Sequence, residues 1–317
     1  MARRRDSASL DESSLRGSGG NAPAAQPRER EPLVLVHTAE GVRELAEAAR
    51  RGGWIAVDTE FMREKTYYPE LALVQLGVEG AVGLIDPLAG AAPAMLEELA
   101  LLFADAAVTK IIHAAGQDLE VLRVTLGVVP QPIFDTQVAA ALAGLGGPER
   151  QVSYAALVQD LLGVELSKGS QRADWLARPL SPALLDYAAD DVRWLNPLRE
   201  ALLQRMGAAQ LDECGARCGA LVEAARRGLD ANALADRVKG GAKLRGPARQ
   251  RLTALARWRE EKARAANVPR RWLLGDEVLV ALAVRAPKSV DALYGVSELP
   301  SRARVRWGAE LVSLVNS

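Results

Sequence analysis

Apolar positions along this chain follow the two-residue period of strands in its first half and the three-to-four-residue period of helices in its second. PLVLVHTAEGVRELAEAARRGG reads as a short apolar strand followed by a helix, with Thr38 as N-cap and Gly52 as stop. WIAVDTEF, LALVQLGV and AVGLIDP are runs of strand formers, and Glu79-Gly80 between the last two predicts a hairpin. A helix near 93 to 104 comes next. TKIIHAAG is then a strand feeding into the helical run QDLEVLRVTLG, and IFDTQVAAALAGL is a strand end passing into another helix. Beyond Ser153 the strand signals fade. SYAALVQDLLG, SPALLDYAADDVRWLNPLREALLQRM and an Ala-rich run to about 228 are helical, and Pro197 is expected to kink or divide the second. Gly-Gly-Ala-Lys at 240 to 243 and Gly246-Pro247 mark a boundary, after which helical patterns resume. The expectation is an α/β domain with a mixed sheet, followed by a small all-α domain.

Composition narrows the chemistry more than the architecture. A chain of 317 residues, 49% hydrophobic, is long enough for two cores. Its 40 basic and 40 acidic residues cancel, so overall charge names no partner. Charge is segregated locally: between Lys239 and Arg271 eleven basic residues face only Glu260 and Glu261. Cys214 and Cys218, spaced i, i+4, read as reduced residues on one helix face. With His37 and His113 the only histidines, a metal would be held by carboxylates, which suit magnesium or manganese. The first 31 residues are polar and rich in Ser, Gly, Pro and Arg, and are expected to be a disordered tail. They lack an apolar signal core, and no stretch reaches membrane-spanning length, so a cytoplasmic protein without membrane association is expected.

Three acidic elements stand out. Asp58 and Glu60 in WIAVDTEF are two apart on a strand, so their side chains share a face. Like carboxylates resist joint ionisation there unless a cation neutralises them, although a strand-end acid also serves as plain solvated edge. In HAAGQDLEVL, Asp118 opens a helix, a position that suits either a site or ordinary dipole pairing. In LLDYAADDVRWL, Tyr187 and Asp191 are i, i+4 on one helical face, and Asp186 and Asp190 form a competing pair, so spacing alone does not choose between Asp190 and Asp191.

The order DTE, HAAGQD, YAADD, with TYYPELALVQLG after the first, closely resembles the DEDD exonucleases of the tyrosine subtype, and within them ribonuclease D. The likeness runs across roughly 33 to 205 and extends to FDTQ and to SKGSQRADWLARPL, which looks like the family's Lys- and Trp-bearing loop. It implies a ribonuclease H-like fold for 32–207. It also implies Asp58, Glu60, Asp118, Tyr187 and Asp191 as catalytic residues, and the four carboxylates as ligands of two divalent ions, Mg or Mn. The activity so implied is 3′-to-5′ hydrolysis of RNA with a free 3′ end, tRNA precursors among the substrates, by a chain expected to be monomeric.

Further RNA contacts are expected from His113, from Tyr67 and Tyr68 stacking on a terminal base, and from Lys168, Gln171 and Arg172 on backbone phosphate. Each has a structural alternative: a bonded histidine, core packing, or a solvated loop. Asp135 is expected to support the fold nearby. After a helical connector at 208–243, residues 244–317 resemble an HRDC domain, where family members commonly carry two; Arg249, Lys262 and Arg270 are candidate phosphate contacts, or else a solvated helix face. DNA as substrate, a non-catalytic RNA-binding scaffold and a metal-free acidic sheet are the competing readings.

Overall fold

The structure is a computed structural model that describes residues 31–88, 92–146, 152–167, 173–228 and 231–317. The tail expected over 1–31 lies outside these residues except for Glu31. β1 (Leu33–Val36) leads into α1 (Ala39–Gly52), whose Thr38 hydroxyl accepts from the Gly41 amide as the expected N-cap. The stop is Gly53 and not Gly52. The helix continues through Gly52, and Gly53 takes the left-handed conformation (φ 70°) that ends it at no steric cost. β2 (Trp54–Met62), β3 (Glu70–Val78) and β4 (Ala81–Ile85) follow, the last two forming the predicted hairpin through Glu79 and Gly80. Next come α2 (Ala92–Ala104), β5 (Thr109–Ile112), α3 (Gly116–Leu126), β6 (Ile133–Asp135), α4 (Thr136–Leu142) and α5 (Tyr154–Leu162).

The six strands form one mixed sheet in the order β1-β4-β3-β2-β5-β6. β2 is central, antiparallel to β3 and parallel to β5, and β5 is parallel to β6. Alternation along β2 gives its two faces different neighbours. Ile55 and Val57 pack with Val74 and Leu76 against α1, α2 and α3. Ala56 faces the other way, with Leu73, Leu84 and Ile111.

That second face is covered by α6 (Pro182–Arg193), through Ala188, Ala189 and Val192. Its close seat depends on a glycine: a Cβ at Gly77 would stand 3.2 Å from the Val192 carbonyl oxygen and 3.0 Å from the Ala56 Cβ. The long helical run does divide, at Trp194 and not at Pro197. Pro197 lies in the first turn of α7 (Leu195–Leu203), where its missing N–H would have no partner in any case. α8 (Ala208–Arg227) then returns along the sheet, with Cys214 and Cys218 buried and unbridged as expected.

The C-terminal part is all helical: α9 (Ala231–Asp236), α10 (Gly246–Ala266), α11 (Arg270–Leu273), α12 (Asp276–Arg285) and α13 (Ser301–Asn316). It has its own core of Leu252, Leu255, Trp258, Leu279, Leu282 and Leu311. Asn267, which ends α10 in a left-handed conformation (φ 47°), joins it to the α/β part by accepting from the Tyr67 and Tyr68 amides at 3.1 Å each. No helix of the described residues is long and apolar enough to cross a membrane.

Candidate active site

The sheet brings the acidic residues together at the carboxyl end of β2. Asp58 and Glu60 project from the face that α6 covers, and α6 supplies Asp191. One carboxylate oxygen from each of the three lies within 4.8 Å of the others. Asp118, in the first turn of α3, stands beside this group. The Thr59 hydroxyl donates to its Oδ1 at 2.6 Å, so the residue between the two strand acids positions the third element's carboxylate.

The electrostatic cost is visible in every member. Burial first, and then the charges of Asp118, Asp191 and Glu60, push the Asp58 carboxyl well above its ordinary value. Burial, with Asp191 and Asp118, raises Glu60 to about 8. Asp191 rises to about 7 through burial and the neighbouring Asp190, opposed by a side-chain hydrogen bond with Tyr187. Asp118, also raised by burial, is held to about 6 because the Thr59 hydroxyl favours its charged form. Four carboxylates sharing one desolvated corner fit hard divalent cations, which remove the conflict by neutralising it.

The structure also resolves what spacing left open on α6. Asp190 is engaged by the Arg193 guanidinium one turn on, and its carbonyl accepts from the Tyr154 hydroxyl at 2.8 Å. Asp191 is the one turned toward Asp58 and Glu60, with Tyr187 beside it; Asp186 is exposed. The Tyr187 ring packs on Trp175, 6.1 Å between centroids, and Trp175 is 1% exposed. The Trp175 loop is clamped by Arg178, whose guanidinium grips Asp86 at 2.7 and 2.9 Å and the Ala72 carbonyl at 2.7 Å. Lys168, Gln171 and Arg172, expected on the preceding part of this loop, lie outside the described residues.

Asp135 supports the site from below, as expected. Its Oδ1 accepts from Ala114, Gln137 and Val138 amides and its Oδ2 from Ala115 at 2.9 Å. It therefore caps α4 and also pins the turn in which Ala114 adopts φ 58°, the turn that launches α3 and hence Asp118. Asp135→Ala is expected to cost about 2–4 kcal/mol of folding stability, because it strands several buried amides. A denaturant midpoint equal to that of the parent protein would refute this.

Other expected contacts fare differently. His113 is half-buried, bonded through Nδ1 to Thr136 Oγ1 at 2.9 Å and to the Val152 carbonyl, which fits the structural alternative. Tyr67 is not an open stacking surface. It is 8% exposed, its hydroxyl bonds Glu260 and Arg264, and the Arg264 and Arg270 guanidinia lie 5.6 and 5.1 Å from its ring centroid. It is buried because it is the seat of the C-terminal helices; Tyr68, 37% exposed, keeps an open ring. Arg270 is paired with Glu260, Arg249 with Asp236 and Lys262 with Glu310, so these three cations are already partnered within the chain.

Sequence reading missed Gln75. It pairs across the strands with Asp58, is 0% exposed, and neither of its amide atoms has a partner among the described residues. The signal was present: a lone amide inside the buried run LALVQLGV.

The 3′-5′ exonuclease family profile matches residues 33–206, a span that holds all five motif residues, and the HRDC domain profile matches 248–315. The ribonuclease D of Acidiphilium cryptum is 42% identical over 272 residues, covering 84% of this chain and 67% of that protein. The chain belongs to the ribonuclease D family. The ribonuclease D of Xanthomonas oryzae pv. oryzae is 40% identical, covering 83% of this chain and 70% of the relative. Among solved structures, Escherichia coli RNase D, an exoribonuclease involved in structured RNA processing, superposes with a TM-score of 0.76. It is 32% identical, over 90% of this chain and 74% of that one. As a ribonuclease D, the chain is a 3′-5′ exoribonuclease built on a mixed α/β sheet with a C-terminal HRDC domain.

Proposed function

We propose that Asp58, Glu60, Asp118 and Asp191 hold two divalent ions, magnesium or manganese, and that with Tyr187 they hydrolyse the 3′-terminal phosphodiester of RNA. The observation that carries this reading is the convergence of three carboxylates within 4.8 Å, with Asp118 beside them. In support, Brucella melitensis NrnC, 27% identical with a TM-score of 0.50, has been captured with bound Mg²⁺.

Bound ions would supply an activated water and neutralise the charge that develops on the phosphate and the leaving oxygen. The chain's own part is placement. Asp58 is the carboxylate that feels the charges of all the others, Asp118, Asp191 and Glu60, and would be the central ligand. Tyr187, packed on Trp175 and bonded to Asp191, orients the attacking water by hydrogen bond. Water oxygen joins phosphorus, the bond from phosphorus to the 3′ oxygen breaks, and that oxygen takes up a proton. A nucleoside 5′-monophosphate leaves, and the strand ends in a new 3′-hydroxyl.

The substrate is RNA with a free 3′ end, tRNA precursors included, and the enzyme acts as a monomer in the cytoplasm, where unbridged Cys214 and Cys218 are at home. The test is digestion of matched RNA and DNA oligonucleotides with free and blocked 3′ ends, with and without chelator. Release of 5′-monophosphates from free-ended RNA alone, abolished by chelator, is expected. Equal attack on blocked ends, or turnover in chelator, would overturn the reading. Tyr187→Phe is expected to lower kcat about 100-fold with KM nearly unchanged, because the hydroxyl acts on water and not on the strand. An unchanged kcat would remove Tyr187 from the mechanism.

A further inference from the structure

Between the α/β part and the C-terminal helices lies a cleft of 340 Å³ unlike any surface that the catalytic reading uses. Five arginines line it: Arg123 from α3, Arg227 from the end of α8, Arg237 after α9, and Arg264 and Arg270 from the C-terminal helices. The only acid on its wall among the described residues, Glu120, is already gripped by both terminal nitrogens of Arg63. Arg264 and Arg270 share Glu260 from behind. Arg123, Arg227 and Arg237 have no acidic partner among the described residues, and the Arg123 Nε is buried without any hydrogen bond. Three guanidinia without acidic partners, Arg227 and Arg237 exposed and Arg123 partly buried, make the potential of this cleft positive and suited to an anion.

The placement says which anion. The cleft begins at Gly116, in the same helical turn as Asp118, and follows the opposite side of α3 through Glu120, Arg123 and Val124. A strand leaving the carboxylates over the start of α3 needs to travel only about a helix diameter, ~10 Å, to enter it. Tyr68, 37% exposed, and Gly116 at the start of α3 both line the cleft. Planar guanidinia match phosphate oxygens without reading bases.

We infer that this arginine-lined cleft binds the sugar-phosphate backbone of the RNA upstream of the scissile bond, with Arg123, Arg227 and Arg237 as the principal phosphate contacts. The inference rests on the exoribonuclease reading for its substrate. It gives the C-terminal helices a local role, because their seat on Tyr67 and Tyr68 completes one wall of the channel. Substrate length, and not the chemical step, is what the cleft serves.

The test compares the full chain with Arg123→Gln/Arg227→Gln/Arg237→Gln, on a trinucleotide and on a 20-nucleotide RNA, together with RNA binding in chelator at several salt concentrations. The expected result is unchanged turnover of the trinucleotide, KM for the long RNA raised at least about tenfold, and a salt-dependence slope for binding smaller by roughly 2, since each lost single-strand phosphate contact removes about 0.7. The Arg→Lys triple variant, which keeps the charge, should recover most of the affinity. Unchanged KM and slope overturn the inference, and so does an equal loss on both substrates, which would mark these arginines as structural. If the parent chain binds RNA with the arginine-dependent slope but releases no nucleotide, the cleft stands and the exoribonuclease reading falls.

Discussion

Asp58→Asn is expected to lower kcat on a 3′-labelled oligoribonucleotide by roughly 10⁴-fold, about 5.5 kcal/mol of barrier, with RNA affinity little changed. Asp58 is the member of the cluster whose charge is shared, raised by burial and then by Asp118, Asp191 and Glu60 together. Asparagine keeps the shape and removes the anionic oxygen, so the cluster loses the carboxylate that interacts with all three others. The same change relieves repulsion in the metal-free protein. The variant should therefore melt at a higher temperature than the parent in chelator, while gaining less from manganese. This pairing separates loss of a ligand from loss of the fold, since a merely damaged protein would melt lower. Retained turnover in Asp58→Asn would sink the proposed mechanism.

The second large effect is a pH-dependent stability that divalent ions reverse. Glu60 at about 8, Asp191 at about 7 and Asp118 at about 6 all titrate above the unfolded carboxyl values of about 4. A carboxyl shifted in this direction favours the fold while it is protonated. Its contribution is complete below about pH 4 and is lost as pH rises through the folded-state values. In chelator the melting temperature should thus fall from about pH 5 to about pH 8. Manganese binds the deprotonated set and adds about 2.7 kcal/mol at a hundredfold excess over its Kd, so its increment should be large near pH 8 and nearly vanish near pH 5. A manganese shift of equal size at both pH values would show that the ion binds elsewhere.

Much of the site was legible before any coordinates. Asp58 and Glu60 share a face because strand side chains alternate, and Tyr187 and Asp191 share one because helical neighbours recur at four. The Thr38 cap, the hairpin at Gly80 and the buried Cys214 and Cys218 follow from equally local rules. The errors were local as well. Gly52 and Gly53 both could end α1, and only the left-handed backbone at Gly53 shows which does. A kink or division is expected at Pro197 because a proline tolerated in a first turn looks, in sequence, like one that interrupts a helix; the division falls at Trp194.

What the chain determines by itself is therefore the set of elements and the face of each on which its chemistry lies, because both depend on residues within a turn or two of one another. Tertiary structure decided which faces meet. The approach of α6 over Gly77 chose Asp191 over Asp190, the Thr59 hydroxyl brought in Asp118, and the β2–β3 pairing set Gln75 opposite Asp58. It also turned Tyr67 from a candidate base platform into a buried anchor, and gathered arginines as distant as 123 and 270 into one cleft. Those outcomes rest on packing between segments tens to hundreds of residues apart, and no periodicity in the sequence encodes them.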